Sequence, residues 1–268
     1  MLAMLRSVLS SRGLSLHPTK CQVQTNREYF QRGRIQVEEG FSIEVLPHGA
    51  CLDLLGTKLS LQDPTGSEIT HRIATGWNKF WALKKMLTRK NFSLNKRLKL
   101  FHSTVSGTVL WGAESWTPRV EELRRLRATQ NAMLRRIVCC GRAEGEDWVE
   151  WVKRATRQAR RLAQNVGAKE WVCEHFVKKW KWAGHLARMH ASEWALLVTG
   201  WRDSSWQAAV RDRWLRPARP SRRPWMKFEH ILRRFCNHGG HGEWRDKSQE
   251  RDAWRELETV FASWASAQ

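Results

Sequence analysis

Acid is scarce where base is dense in this chain. Between Glu68 and Glu114 there is no aspartate or glutamate, although Arg72, Lys79, Lys84, Lys85, Arg89, Lys90, Lys96, Arg97 and Lys99 all fall in that span. Nothing inside the run neutralises them. Long apolar runs are missing too: none approaches the roughly 18 residues a membrane-spanning helix needs. The six cysteines (Cys21, Cys51, Cys139, Cys140, Cys173, Cys236) contain no Cys-x-x-Cys pair and are too sparse for a small disulfide scaffold, which fits a reducing compartment. There is no Gly-rich phosphate loop, no Gly-x-Ser-x-Gly elbow and no His-Glu-x-x-His. The seven aspartates never stand side by side, whereas two-metal phosphoryl chemistry needs clustered carboxylates. No visible constellation supports polymerase or nuclease activity.

What the chain has in abundance is positive charge. Its 47 Lys and Arg against 26 Asp and Glu leave +21, while 41% apolar content suffices for a core. A compact form so charged repels itself unless a polyanion screens it, and nucleic acid is the leading partner. A basic non-enzymatic interaction protein, organellar or bound to an acidic partner or membrane surface, is the alternative. Placement favours nucleic acid: Lys84, Lys85, Arg89 and Lys90 close one predicted helix, and Lys96, Arg97 and Lys99 open the next. Cations suit a helix C-terminus but not an N-terminus, unless an anion is bound there.

A second cluster, VKKWKWAGHLARM (177–189), interleaves Lys178, Lys179 and Lys181 with Trp180 and Trp182. Two indoles two residues apart cannot share a helical face. One is expected in the core and one partly exposed, where it could stack on a base. Most of the 17 tryptophans should fill the core. The array CNHGGHG offers Cys236, His238 and His241 as conceivable zinc ligands, against the simpler reading of a polar loop.

Residues 1–22 are basic, Ser-rich and acid-free, the composition of a mitochondrial transit peptide. Yet Met1, Leu2, Leu5, Val8 and Leu9 share one helical face that Gly13 would close. Alternation through Ile35, Val37, Phe41, Ile43 and Val45 around Glu39-Gly40 predicts a hairpin. In the next run, Leu52 to Leu61, Gly56 marks a bulge, a bend or a close backbone approach. Helices follow: one capped by Ser67 with Ile69, Ile73, Phe80, Leu83 and Leu87 buried, and one capped by Ser93 with Leu94, Leu98, Phe101, Val105 and Val109 buried. A third opens at Thr117-Pro118, with Val120, Leu123, Leu126, Met133, Leu134 and Ile137 buried. Further helices are expected around 146–166, 168–190, 225–236 and 248–265, with RPARPSRRP (216–224) as a linker. The fold class is α+β, mostly α.

The order GLSLHPTKCQ (13–22), LDLLGTKLS (52–60), EITHRIATGWNKFWALKKML (68–87), LKLFHSTVSGTVLWGAESW (98–116) and WKWAGHLARM (180–189) resembles the C-terminal part of reverse transcriptases of non-LTR, LINE-like retrotransposons. The resemblance implies that residues 1–64 are the end of a palm with a primer-grip-like hairpin and 65–140 a thumb-like helical bundle. Residues 141–215 would be a basic Trp-rich helical region, and 216–268 a linker with C-terminal helices. It implies that Lys20 lies near an incoming nucleotide and that Leu54, Leu55 and Gly56 form the primer grip, Leu54 standing where the family usually has an aromatic. It also implies that the acid-free helices hold an RNA–DNA hybrid or other duplex. The family's catalytic aspartates would precede Met1, so no cofactor is expected here, magnesium requiring those palm carboxylates, and no polymerase activity from this chain alone. The N-terminal helix then reads as a palm helix, which places nuclear or cytoplasmic residence ahead of mitochondrial.

Overall fold

Alternating apolar and polar residues between Gly33 and Val45 produce the expected hairpin, β2 (Gly33–Glu38) against β3 (Phe41–Val45), with Ile35 opposite Ile43. The computed structural model describes residues 2–17, 20–25, 33–38, 41–190, 192–193, 195–196 and 224–268. The turn at Glu39-Gly40 and residues 216–223 of the expected linker lie outside them. The chain is α+β and mostly α, and forms two compact units, Met1–Ala74 and Thr75–Gln268.

In the first unit a short helix, α1 (Leu2–Ser10), precedes β1 (Gln22–Val23), which pairs parallel to β3 and completes a sheet of order β1-β3-β2. Phe41, Ile43 and Val45 are buried on one face of β3, as a period of two requires. A second hairpin joins β4 (Leu52–Leu54) to β5 (Thr57–Leu59). Of the three readings open for Gly56 the bend is the one observed: it sits in the two-residue turn, at φ 78° beside Leu55 at φ 50°. Two positive φ values are the signature of a type I′ turn. A Cβ built on Gly56 would meet nothing within 4 Å, so the dihedral is what requires glycine there.

Helix α2 (Pro64–Ala82) begins three residues before the Ser67 cap expected from sequence. The Asp63 carboxylate accepts from the Gly66 amide at 3.2 Å, and Pro64 in the first turn loses no needed donor. Buried Glu68 accepts from the Lys58 amide at 2.6 Å and from Arg72 Nε, while Arg72 also donates to the Gly56 carbonyl. This pair ties the second hairpin to α2.

The second unit continues with α3 (Lys84–Thr88), α4 (Leu94–Phe101), a π-turn (His102–Ser106) and α5 (Gly107–Val109), then α6 (Val120–Val138), α7 (Trp148–Asn165) and α8 (Trp171–Ala187). After the undescribed segment come α9 (Pro224–His238), α10 (Trp244–Lys247) and α11 (Arg251–Ser266). Ser93 caps α4 as expected, accepting from the Lys96 amide. Thr117-Pro118 does not open α6; its N-cap is Arg119, whose amide donates to Glu122. Val120, expected in the core, lies in the first turn of α6 and is 52% exposed.

The core of this unit is built around α8. Trp180 lies flat on Trp254 at 3.6 Å between ring centroids, and each indole N–H donates to the other residue's carbonyl, at 2.8 and 3.2 Å. Phe235 and Phe261 pack on Trp180. A Cβ at Gly184 would stand 2.3 Å from Trp254 Nε1, so glycine is what admits the second indole. Farther up α8, Trp171 Nε1 donates to Ser106 Oγ at 2.7 Å, Lys178 Nζ to the Leu110 carbonyl at 2.9 Å and Lys179 Nζ to the Trp116 carbonyl at 2.7 Å. The first bond holds the end of the π-turn, and the two lysine bonds fasten the irregular stretch between α5 and α6.

Gly184→Ala should therefore lower stability by about 1–3 kcal/mol through overpacking. Gly107→Ala, helical and open around its Cβ, should be neutral or gain up to ~1 kcal/mol. Urea unfolding of both variants checks this, and equal midpoints would refute a close indole–helix approach at Gly184.

Candidate nucleic-acid interface

The acid-free run folds into the end of α2, α3, the loop after it and α4. Lys79, Lys84, Lys85, Arg89, Lys90, Lys96 and Lys99 are exposed there. None has an ion-pair partner among the described residues. The same run loses two of its expected contacts. Arg72 is 6% exposed and held by Glu68, and Arg97 is 8% exposed. Arg97 donates to the carbonyls of Phe92 at 3.1 Å, Leu87 at 3.4 Å and Ile137 at 2.5 Å. Its position at the start of α4, which suggested a bound anion, has another cause: it caps the C-terminal carbonyls of α3 and α6. Arg97 is spent on shaping the basic turn.

The second cluster is mostly core. Trp180 and Lys179 are buried, Lys178 is half-buried and bonded to Leu110, and exposed Lys181 pairs with Glu258 at 3.4 Å. Here one indole is buried and one half-exposed, as expected, with Trp182 the half-exposed one. The spacing seen in 177–189 thus serves the packing of α8.

In the first unit, Leu54 is 52% and Leu55 89% exposed at the tip of the second hairpin. Leu55 holds a positive φ that a leucine rarely adopts. Lys20 is exposed just before β1. The CNHGGHG residues do not converge: Cys236 is buried with its thiol pushed up to about 11 by burial, while His238 lies against Trp264 and His241 against Phe235. Among the described residues no group of three His, Cys, Asp or Glu is placed to hold a metal ion. No described helix is long and apolar enough to cross a membrane.

Sequence reasoning missed the aromatic edge of this surface. Trp77 and Trp81, one turn apart on α2, lie nearly parallel with centroids 5.8 Å apart, and Trp81 is 47% exposed. Lys84 Nζ stands 5.4 Å from the Trp81 ring, and Arg136 of α6 stands 5.1 Å from Trp77 and 5.9 Å from Trp81. The i, i+4 tryptophan pair off the apolar stripe of α2 was the available signal. Arg136 had none, because it arrives from a distant helix.

The fold and surface define a basic, mostly helical protein with a small sheet-bearing unit. Comparison with curated proteins finds a distant relative of transposon origin, 29% identical over 159 residues, described as an uncharacterized transposon-derived protein of Caenorhabditis elegans. The match takes in 58% of this chain and 53% of the relative, so the chain spans about half the length of the curated relative it matches. No family model matches the chain. No solved structure matches it.

Burial sets two pKa values in α8. His175, its Nδ1 2.8 Å from the Ala113 carbonyl, is pushed down to about 3 by burial and then by Lys179; Lys179 is pushed down to about 7 by burial. For Lys179 the unfolded chain binds more protons than the folded one between about 7 and its ordinary 10.5. Stability from this group is therefore complete above 10.5 and lost as pH falls toward 7. Relative to Lys179→Met, the wild-type denaturant midpoint should rise from pH 7 to 10. Parallel profiles would mean that the ammonium keeps its charge in the core.

Proposed function

We propose that this chain is a reverse-transcriptase-like protein of non-LTR retrotransposon origin whose second unit binds a nucleic-acid duplex, an RNA–DNA hybrid in particular, through the basic turn of α3 and α4. The observation that carries this is the set of seven exposed cations, Lys79 to Lys99, with no carboxylate paired to them among the described residues. The transposon-derived relative supports the origin. Because the sequence run is acid-free, the surface attracts phosphates without a competing internal partner, and phosphate contacts of this kind position a duplex without reading its bases. In this reading residues 1–64 correspond to the end of a palm. Its exposed Leu54-Leu55-Gly56 turn would touch a primer strand, with the strained apolar tip of Leu55 as the contact.

Fluorescence anisotropy with a labelled RNA–DNA hybrid tests the proposal. Affinity should fall with salt, each neutralised phosphate contributing ~0.7–0.9 to the exponent. Glu at both Lys84 and Lys85 should weaken binding roughly tenfold or more and flatten the salt slope. Lys247→Glu, at a residue already paired with Glu250, should change little. Equal effects, or co-sedimentation with anionic vesicles stronger than hybrid binding, would overturn the assignment in favour of a basic surface for another acidic partner.

A further inference from the structure

We infer that Trp81, roofed by Lys84 and Arg136 and backed by Trp77, is a stacking position for an unpaired nucleobase at the edge of a bound duplex, so that the protein recognises a junction of paired and single strands. This rests on the duplex-binding reading above. An indole 47% exposed on a helix facing solvent leaves a large apolar surface in water. Burial is not what holds it there: Phe80, its neighbour on α2, takes the core position at 0% exposure and meets Trp81 edge-on at 5.4 Å.

Two cations from different helices lie within 6 Å of its ring, Lys84 at 5.4 Å and Arg136 at 5.9 Å. An exposed ring so flanked is electrostatically prepared for a base, because the cations can move to the phosphates on either side of it while the ring receives the base. The other strongly exposed tryptophans, Trp111 and Trp148, carry no cation on their rings among the described residues. The stacking position also adjoins the basic turn directly, since Lys84 belongs to both. A strand leaving the duplex there would meet an aromatic face immediately.

The test compares a blunt RNA–DNA hybrid with the same hybrid carrying a short single-stranded extension, by anisotropy, for the wild type, Trp81→Ala and Trp81→Phe. The wild type should prefer the extended hybrid. Trp81→Ala should lose about 5- to 150-fold in affinity for it, the loss expected for one base–aromatic stack. Its affinity for the blunt hybrid and its salt slope should stay unchanged, and Trp81→Phe should recover most of the loss. Equal binding of both hybrids by Trp81→Ala and wild type would overturn the inference while leaving duplex binding standing. Failure of the wild type to bind either hybrid in a salt-dependent way would remove the underlying reading and this one with it.

Discussion

The mutual clasp of Trp180 and Trp254 is the contact on which the helical unit depends. Flat stacking at 3.6 Å buries two large apolar faces, and the crossed N–H to carbonyl bonds remove the cost of burying two indole donors. It locks α11 to α8. With α8 fixed, Trp171, Lys178 and Lys179 reach across to the stretch from the end of the π-turn to α6. That stretch in turn sets where α4 and α6 lie, and so where the basic turn between α3 and α4 points.

The fold uses its cations in different ways. Some are spent internally: Arg72 on Glu68, Arg97 on helix-end carbonyls, Lys179 on Trp116. Burying a guanidinium or ammonium is costly unless every donor is matched, and each of these has at least one carbonyl or carboxylate to meet. Others are paired with carboxylates, as Lys58 is with Asp53 and Arg154 with Glu146, while the seven from Lys79 to Lys99 stand in water with no acid paired to them among the described residues, which raises the potential over one region instead of holding the fold together. Arg97 links the first group to the last, because its bonds to α3, α6 and the loop set the shape from which Lys84, Lys85, Arg89, Lys90 and Lys96 project.

Much of the architecture was legible because its signals are local and redundant. The hairpin alternation at Ile35 to Val45, the apolar stripes of α2, α4 and α6, and the Ser93 cap each rest on neighbouring residues whose periodicity leaves little choice. Errors arose where two local signals competed. Asp63 outbid Ser67 as a cap because Pro64 could follow it at no cost, and Glu122 drew the start of α6 past Thr117-Pro118. At Gly56 the run Leu52 to Leu61 left a bulge, a bend and a close approach open, because a type I′ turn with leucine at its first position is an unusual choice; the structure makes it the bend of a hairpin.

By itself the sequence determined the charge excess, the acid-free run, the place and rough extent of the longer helices and the ordered motifs that suggest a retroelement origin, since these depend on composition and short-range spacing. Only the tertiary structure decided which lysines and arginines remain available. Whether Arg97 or Lys179 meets water depends on carbonyls supplied by residues far along the chain, at Ile137 and Trp116. The same holds for Trp81: its spacing from Trp77 was visible, but the guanidinium over both rings comes from α6, and no local pattern encodes a contact between helices.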